Sequence, residues 1–296
     1  MRFAVMIEGQ EDVGWEDWLA LARTCERLGF EALFRSDHYL SVDGEDGFGA
    51  LDAWGTICAL AAVTTDLRLG TLVSPATFRH PSNLAKLAVT ADHISGGRVE
   101  LGLGTGWHDA EHRAFGFPAP SMDRMAEQLA VVDGIFAPGP FSFSGEHYVL
   151  EGLDALPKPV QQPLPLILGG AAKPRGAALA ARHAAEYNVV HATPEEAGAA
   201  RERLRTACEE AGRDPATLAF SLMHALVLGA DEAAVEERAA RLGGADGYLR
   251  GTPEQVVARL GEYEAAGVER VFLQHLLFRD EEILELFAAE VVPAFS

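Results

Sequence analysis

Residues Leu69–Phe117 read LGTLVSPATFRHPSNLAKLAVTADHISGGRVELGLGTGWHDAEHRAFGF, and this stretch decides the fold. The apolar, β-branched run Leu67–Val73 predicts a strand. A proline-started helical pattern follows over His80–Ile94, Ser95-Gly96-Gly97 makes a turn, and Arg98–Gly102 predicts the next strand. The glycines of Gly104-Thr105-Gly106 come directly after that strand, where a backbone must approach a ligand closely. Strand, helix, turn and strand, in that order, form the unit of a parallel sheet.

The same rhythm runs outward in both directions. Arg2–Ile7 predicts a first strand and Asp12–Gly29 its helix; Phe30–Arg35 predicts a second strand. A Gly/Asp-rich loop, Ser41–Gly49, leads to a helix near Leu51–Thr64. After Gly104 the pattern loosens into an insertion of about residues 105–163. It comprises Trp107–Pro120, a helix around Met122–Phe136, a hairpin within Pro138–Tyr148 and a proline-rich extended connection, Pro157–Pro165. Strands then return at Leu164–Leu168, Tyr187–Val190, Leu218–Leu228 and Val268–Gln274. Helices Arg175–Ala184, Glu195–Gly212, Glu232–Leu242 and one from Thr252 to Ala266 alternate with them. Thr252-Pro253-Glu254-Gln255 is a helix start, with threonine as N-cap, proline at N1 and glutamine at N3. The pattern predicts an α/β fold, a (β/α)8 TIM barrel with insertions after strand 4 and before strand 5, in a single domain over residues 1–296.

A net charge of −20 argues against a nucleic-acid binder, which needs a basic footprint. An anionic ligand would need a local positive site, for which Arg79, Lys173 and Arg175 are candidates. No apolar run is long enough to span a bilayer, so no membrane partner is expected. The start, MRFAVMIEGQEDVGW, lacks the charged region and cleavage pattern of a signal peptide, so a cytoplasmic protein is expected. Cys25, Cys58 and Cys208 stand far apart in helical patterns, which is neither a disulfide framework nor a zinc motif.

Barrel chemistry sits at the C-terminal ends of strands. Those ends carry Asp37-His38-Tyr39, Val73-Ser74, Gly104 to Trp107, Gly169-Gly170-Ala171, His191 and Gln274-His275. His38, with Asp37 beside it, is the acid–base candidate, because imidazole titrates near neutrality and a carboxylate orients or charges it. Adjacent strand residues point to opposite faces, so direct pairing of the two is not assured. Gly169-Gly170-Ala171-Ala172-Lys173 leads into a helix N-terminus and suits a phosphate. Gly104-Thr105-Gly106 is no dinucleotide fingerprint, lacking a third glycine, and instead lets a flat ring near the backbone. Trp107 is placed to stack on a substrate or to sit buried under a lid. His93 reads as a structural histidine, and no carboxylate cluster shows metal-ligand spacing with the histidines, so no metal is expected.

These motifs together resemble the bacterial luciferase-like family of flavin and deazaflavin oxidoreductases. The marks are RSDHY at Arg35–Tyr39, LGTLVSPATFRHP at Leu69–Pro81, DHISGGRVELGLGTGW at Asp92–Trp107 and EHRAFGFP at Glu111–Pro118. LPKPVQQPLPLILGG at Leu156–Gly170 and GTPEQV at Gly251–Val256 agree. Within the family the chain is most similar to the branch dependent on coenzyme F420. The resemblance implies a (β/α)8 barrel, commonly a homodimer, with a tricyclic ring at the C-terminal mouth. It implies a bulge after strand three, often with a non-proline cis peptide, at Leu72, Val73 and Ser74. Thr105, Gly106 and Trp107 match the ribityl region, Gly169, Gly170, Ala171, Ala172 and Lys173 the phosphate cradle, and Asp37 and His38 the cofactor-side pair. Tyr39, His191 and His275 are left to the substrate.

Two departures matter. Where some deazaflavin members carry glutamate and asparagine after the GTG loop, this chain has Trp107 and Ala110, so sugar-phosphate oxidation is not implied. His191 stands where many relatives carry an apolar residue. The expected activity is hydride transfer between coenzyme F420 and a small organic substrate, for example reduction of an activated C=C or C=N bond. The alternative is an FMN enzyme, a reduced-flavin, oxygen-dependent monooxygenase; a third reading is a ring-binding barrel without turnover.

Overall fold

Every barrel strand finds a parallel neighbour on each side, and the sheet closes on itself. The computed structural model describes residues 1–42, 44 and 47–295. In chain order the strands are β1 Arg2–Ile7, β2 Ala32–Arg35, β3 Arg68–Pro75, β4 Val99–Gly104, β5 Phe141–Ser144 and β6 Val149–Leu153. They continue with β7 Leu166–Gly169, β8 Glu186–Val190, β9 Ala219–Leu228, β10 Leu249–Gly251 and β11 Arg270–Gln274. The helices are α1 Trp15–Leu28, α2 Ala53–Val63, α3 Pro81–Ser95, α4 Asp109–Phe115, α5 Met122–Phe136, α6 Pro174–His183, α7 Pro194–Glu210, α8 Glu232–Arg241, α9 Pro253–Ala265 and α10 Glu281–Leu286.

The barrel runs β1-β2-β3-β4-β7-β8-β9-β11 and returns to β1, giving the (β/α)8 architecture that the alternation predicts. Two features depart from the sequence reading. The hairpin is Phe141–Ser144 paired with Val149–Leu153, so its second arm lies beyond Tyr148. The short β10 is an added strand alongside the far end of β9, hidden in sequence because three residues carry no period. The loop expected over Ser41–Gly49 falls partly outside the described residues. Residues 157–165 form no regular element, and cis bonds precede Pro157 and Pro163. No described helix is long and apolar enough to cross a membrane.

The local signals act as the chemistry requires. Pro81 starts α3 and Gly96 ends it at φ 70°, a left-handed conformation that favours glycine. At α9, the Gln255 side-chain oxygen accepts the Thr252 N–H at 2.9 Å. His93 donates to the Lys158 carbonyl at 2.8 Å, a structural role that pins the proline-rich connection.

Two apolar layers organise the interior. Outward-facing strand residues such as Val5, Leu33, Leu101 and Leu168 pack with the helices, while Ala4, Met6, Phe34, Leu72, Met223 and Phe272 fill the inside of the barrel. Its floor is ionic. Arg270, 1% exposed, lies with its guanidinium 4.6 Å from the Phe272 ring and reaches Glu100 at 2.7 Å and Glu186 at 3.3 Å. Burial opposes ionisation of Glu100, but Arg270 and Arg68 overcome it and hold that carboxyl below its usual range. Burial also acts on Glu186 and there prevails, raising it. This ionic cluster fills the barrel interior at the end opposite the C-terminal mouth. Arg270→Met should destabilise the fold by about 3–5 kcal/mol in denaturant titration, because Glu100 would lose its buried cation. A loss below about 1 kcal/mol would show that water reaches this cluster.

Candidate functional site

At the mouth, a cavity of about 460 Å³ is lined by residues on, or just past, all eight barrel strands. Leu72 and Val73 form one part of its wall, Gly104 to Trp107 another, and Gly169-Gly170 a third. Between Thr71 and Ser74 the β3–β4 register slips, and the Leu72–Val73 peptide is cis, at the bulge the resemblance implies. Glycine is required opposite: a Cβ on Gly104 would stand 2.6 Å from Val73 Cγ2. Ser74 itself is fully buried behind the wall, donating to Asp37 at 2.6 Å and accepting from Trp54 Nε1 at 3.0 Å.

Asp37 and His38 do not form a pair with each other. Asp37 turns inward, where its Oδ2 accepts from Ser74 and, at 2.6 Å, from Arg79. Arg79 also holds Asp52, so this guanidinium is committed and is not the free anion site that its charge suggested. His38 turns the other way. Its Nδ1 lies 2.8 Å from Oε2 of Glu111, a fully buried carboxylate on α4. The second Glu111 oxygen accepts the Tyr39 N–H at 2.5 Å and the Leu40 N–H at 3.2 Å.

Burial disfavours the His38 imidazolium, but the Glu111 hydrogen bond and the charges of Glu111, Glu8 and Asp37 outweigh it and raise His38 above its ordinary value. Burial likewise opposes the Glu111 carboxylate, yet His38 and the backbone amides keep it below the usual range. The result is an imidazole beside the cavity whose protonated form is favoured over that of an ordinary histidine. His108 Nδ1 lies 3.9 Å from the same Glu111 oxygen. Two histidines and a carboxylate thus meet here, a grouping that linear spacing hid.

Trp107 is 63% exposed at the rim rather than buried, edge-on to His38 with ring centroids 5.5 Å apart. Tyr39 lies off the cavity: its ring stacks on Phe78, and its hydroxyl donates to Asp52 at 2.8 Å. Tyr39, which the sequence assigned to the substrate, is thus not among the residues lining the mouth cavity. His191 and His275 line a neighbouring cavity, not this one.

Past Thr105 and Gly169, the cavity meets a surface pocket of about 400 Å³ that holds Ala171, Lys173, Arg175 and Tyr187 at the N-terminus of α6. Ala172 does not offer its amide there, because that N–H donates to the Tyr187 hydroxyl at 2.9 Å. The Tyr187 O–H remains as a donor in its place. Arg175 contacts Asp123, and Arg203 braces the loop through the carbonyls of Ala171 and Ala172.

Two buried acceptors test what the main cavity suits. Asn188 Oδ1 and Asp37 Oδ1 have no hydrogen-bond partner, and both residues line it. Buried polar atoms are normally satisfied, so these call for a ligand bearing N–H or O–H groups. A flat heteroaromatic ring with such groups at its edge, carrying a phosphate toward Lys173, fits. Sequence reading missed Glu111, Tyr187, Asn188 and Glu8. Glu8 follows β1 directly, so the strand-end rule that singled out His38 applied to it too, and Glu111 stood in a quoted motif.

Residues 1–250 match the family model for luciferase-like monooxygenases. The pyrimidine monooxygenase RutA of Stutzerimonas stutzeri is 31% identical over 265 residues, 83% of this chain and 68% of that protein. Several other curated relatives are spanned over only half to three-fifths of their length. The FMNH2-dependent dimethylsulfone monooxygenase of Pseudomonas putida is 26% identical, covering 92% of this chain and 86% of that one. The fold matches the coenzyme F420-dependent tetrahydromethanopterin reductase of Methanopyrus kandleri with a TM-score of 0.83 at 21% identity, over 100% and 99% of the two chains. This chain belongs to the luciferase-like monooxygenase family, a family of oxidoreductases.

Proposed function

We propose that this protein is an oxidoreductase that binds a phosphorylated flavin-type ring in the mouth cavity, coenzyme F420 in preference to FMN. Its reaction would be hydride transfer to or from a small organic substrate, with reduction of an activated C=C or C=N bond as the favoured direction. The observation that carries this reading is the His38–Glu111 pair at the wall of a cavity with two unsatisfied buried acceptors. When bound, the ring supplies the hydride chemistry.

The chain's own residues would supply position and protons. Asn188 and Asp37 accept from the ring edge, Leu72 and Val73 give it an apolar wall, and Lys173, Tyr187 and the α6 N-terminus hold the phosphate. His38 delivers or takes up the proton that accompanies hydride movement, and Glu111 keeps it charged and oriented. A hydride reaction needs one such proton at a fixed place, which supports the deazaflavin. The second reading, a reduced-FMN monooxygenase, is favoured by the two named monooxygenases among the relatives.

Four outcomes are expected. Titration of the protein with reduced F420 should give binding in the micromolar range or tighter, and turnover should continue without oxygen. Oxygen-dependent turnover with reduced FMN would select the second reading, and failure to bind either ring would end both. Glu111→Gln should move the His38 imidazole titration, followed by NMR, to lower pH, since the charge that stabilises the imidazolium is gone; an unmoved midpoint would remove Glu111 from the account. His38→Ala should lower turnover by roughly 10²–10⁴-fold with ring binding retained. Tyr187→Phe should weaken ring binding about tenfold, through the lost hydroxyl.

A further inference from the structure

A second cavity, of about 550 Å³, adjoins the first and shares Glu8, Val42 and Gln274 with it. Its character differs. Glu8 stands at the junction, where Oε1 accepts from Gln274 Nε2 at 2.5 Å and Oε2 accepts from Gln10 Nε2 at 2.9 Å. Both partners are neutral amides, so the carboxylate is oriented but not neutralised. Its charge is felt at His38 in the first cavity and at His191 in the second. Glu11, also in the wall, spends its oxygens on Ser41 Oγ at 2.6 Å and the Val42 N–H at 2.9 Å. The one cation among the described lining residues, Arg241, is held by Asp280 at 2.9 Å.

The wall also contains an unsatisfied imidazole. His275 is 1% exposed and lines this cavity, and neither of its ring nitrogens has a hydrogen-bond partner. Burial pushes it down to about 4, so it is neutral and offers one donor and one acceptor. The remaining wall is flat and apolar: the His191 ring stacks on Tyr248 at 6.2 Å, with Phe278 and Leu242 nearby. The two arms leading from the ring cavity therefore differ in charge, with Lys173 on one side, where Arg175 is paired with Asp123, and Glu8 and Glu11 on the other. A phosphorylated tail is drawn to the first arm and repelled by the second.

We propose that this second cavity is the substrate pocket and takes a cationic, amine-bearing molecule with a flat or apolar body. The ammonium group pairs with Glu8, beside the ring cavity. The body lies against His191 and Tyr248, where aromatic faces also favour a cation, and His275 makes a polar contact with it. This assignment rests on the reading of the first cavity as the seat of the redox ring.

Calorimetry on the full chain tests it with three probes of one shape: 2-phenylethylammonium, 2-phenylethanol and 3-phenylpropionate. The ammonium should bind at least tenfold tighter than either other probe, and Glu8→Gln should abolish that preference. Tyr248→Ala should weaken all three, and it serves if Glu8→Gln does not fold. Equal or tighter binding of the propionate, indifference to Glu8→Gln, indifference to Tyr248→Ala, or binding of none of the three would overturn the proposal. F420 and FMN titrations run in parallel separate the two readings. Loss of ring binding with ammonium binding intact counts against the redox function alone, and the reverse counts against the amine pocket alone.

Discussion

One buried carboxylate, Glu111, joins the insert to the barrel. Its two oxygens take the backbone of Tyr39 and Leu40 and the ring of His38, all just past β2, while its own backbone belongs to α4. Removing a carboxylate from water is costly unless its lone pairs are filled, and here three donors fill them. The same contacts fix the imidazole's orientation and favour its charged form. The loop after β2, the short helix after the glycine loop and the His38 ring are thereby positioned as a unit.

Charge is distributed in the fold to complementary effect. The floor is filled by Arg270 among glutamates, which pair with it inside the barrel. At the mouth, Arg79 is consumed by Asp37 and Asp52 and stiffens the wall instead of binding ligand. Lys173 at the α6 N-terminus lines the adjoining pocket, on a chain whose net charge is −20. An anionic cofactor tail thus finds one local attraction, and its position leaves the acidic cavity to a molecule of the other sign.

The barrel was legible because its signals are local and periodic. Apolar runs such as Arg2–Ile7 and Val268–Gln274, and proline or glycine at helix boundaries such as Pro81 and Gly96, need no knowledge of distant residues. β10 was not legible, since its three residues pair with β9 for tertiary reasons. Strand ends located the mouth and His38, and chain adjacency suggested Asp37 as its partner. Just past the end of β2 those two side chains turn to different neighbours, and the partner of His38 comes from 73 residues away. Long-range pairing of this kind, like the hydroxyl of Tyr187 on Ala172, leaves no mark in local sequence.

The most direct measurement is a crystal structure of the protein with reduced coenzyme F420. The account predicts the ring against Leu72 and Val73, within reach of Asn188 and His38, with its phosphate between Gly170, Lys173 and Tyr187 and the Glu8 cavity left free. A ring absent from that cavity, or a tail running past Glu8 and His275, would contradict it.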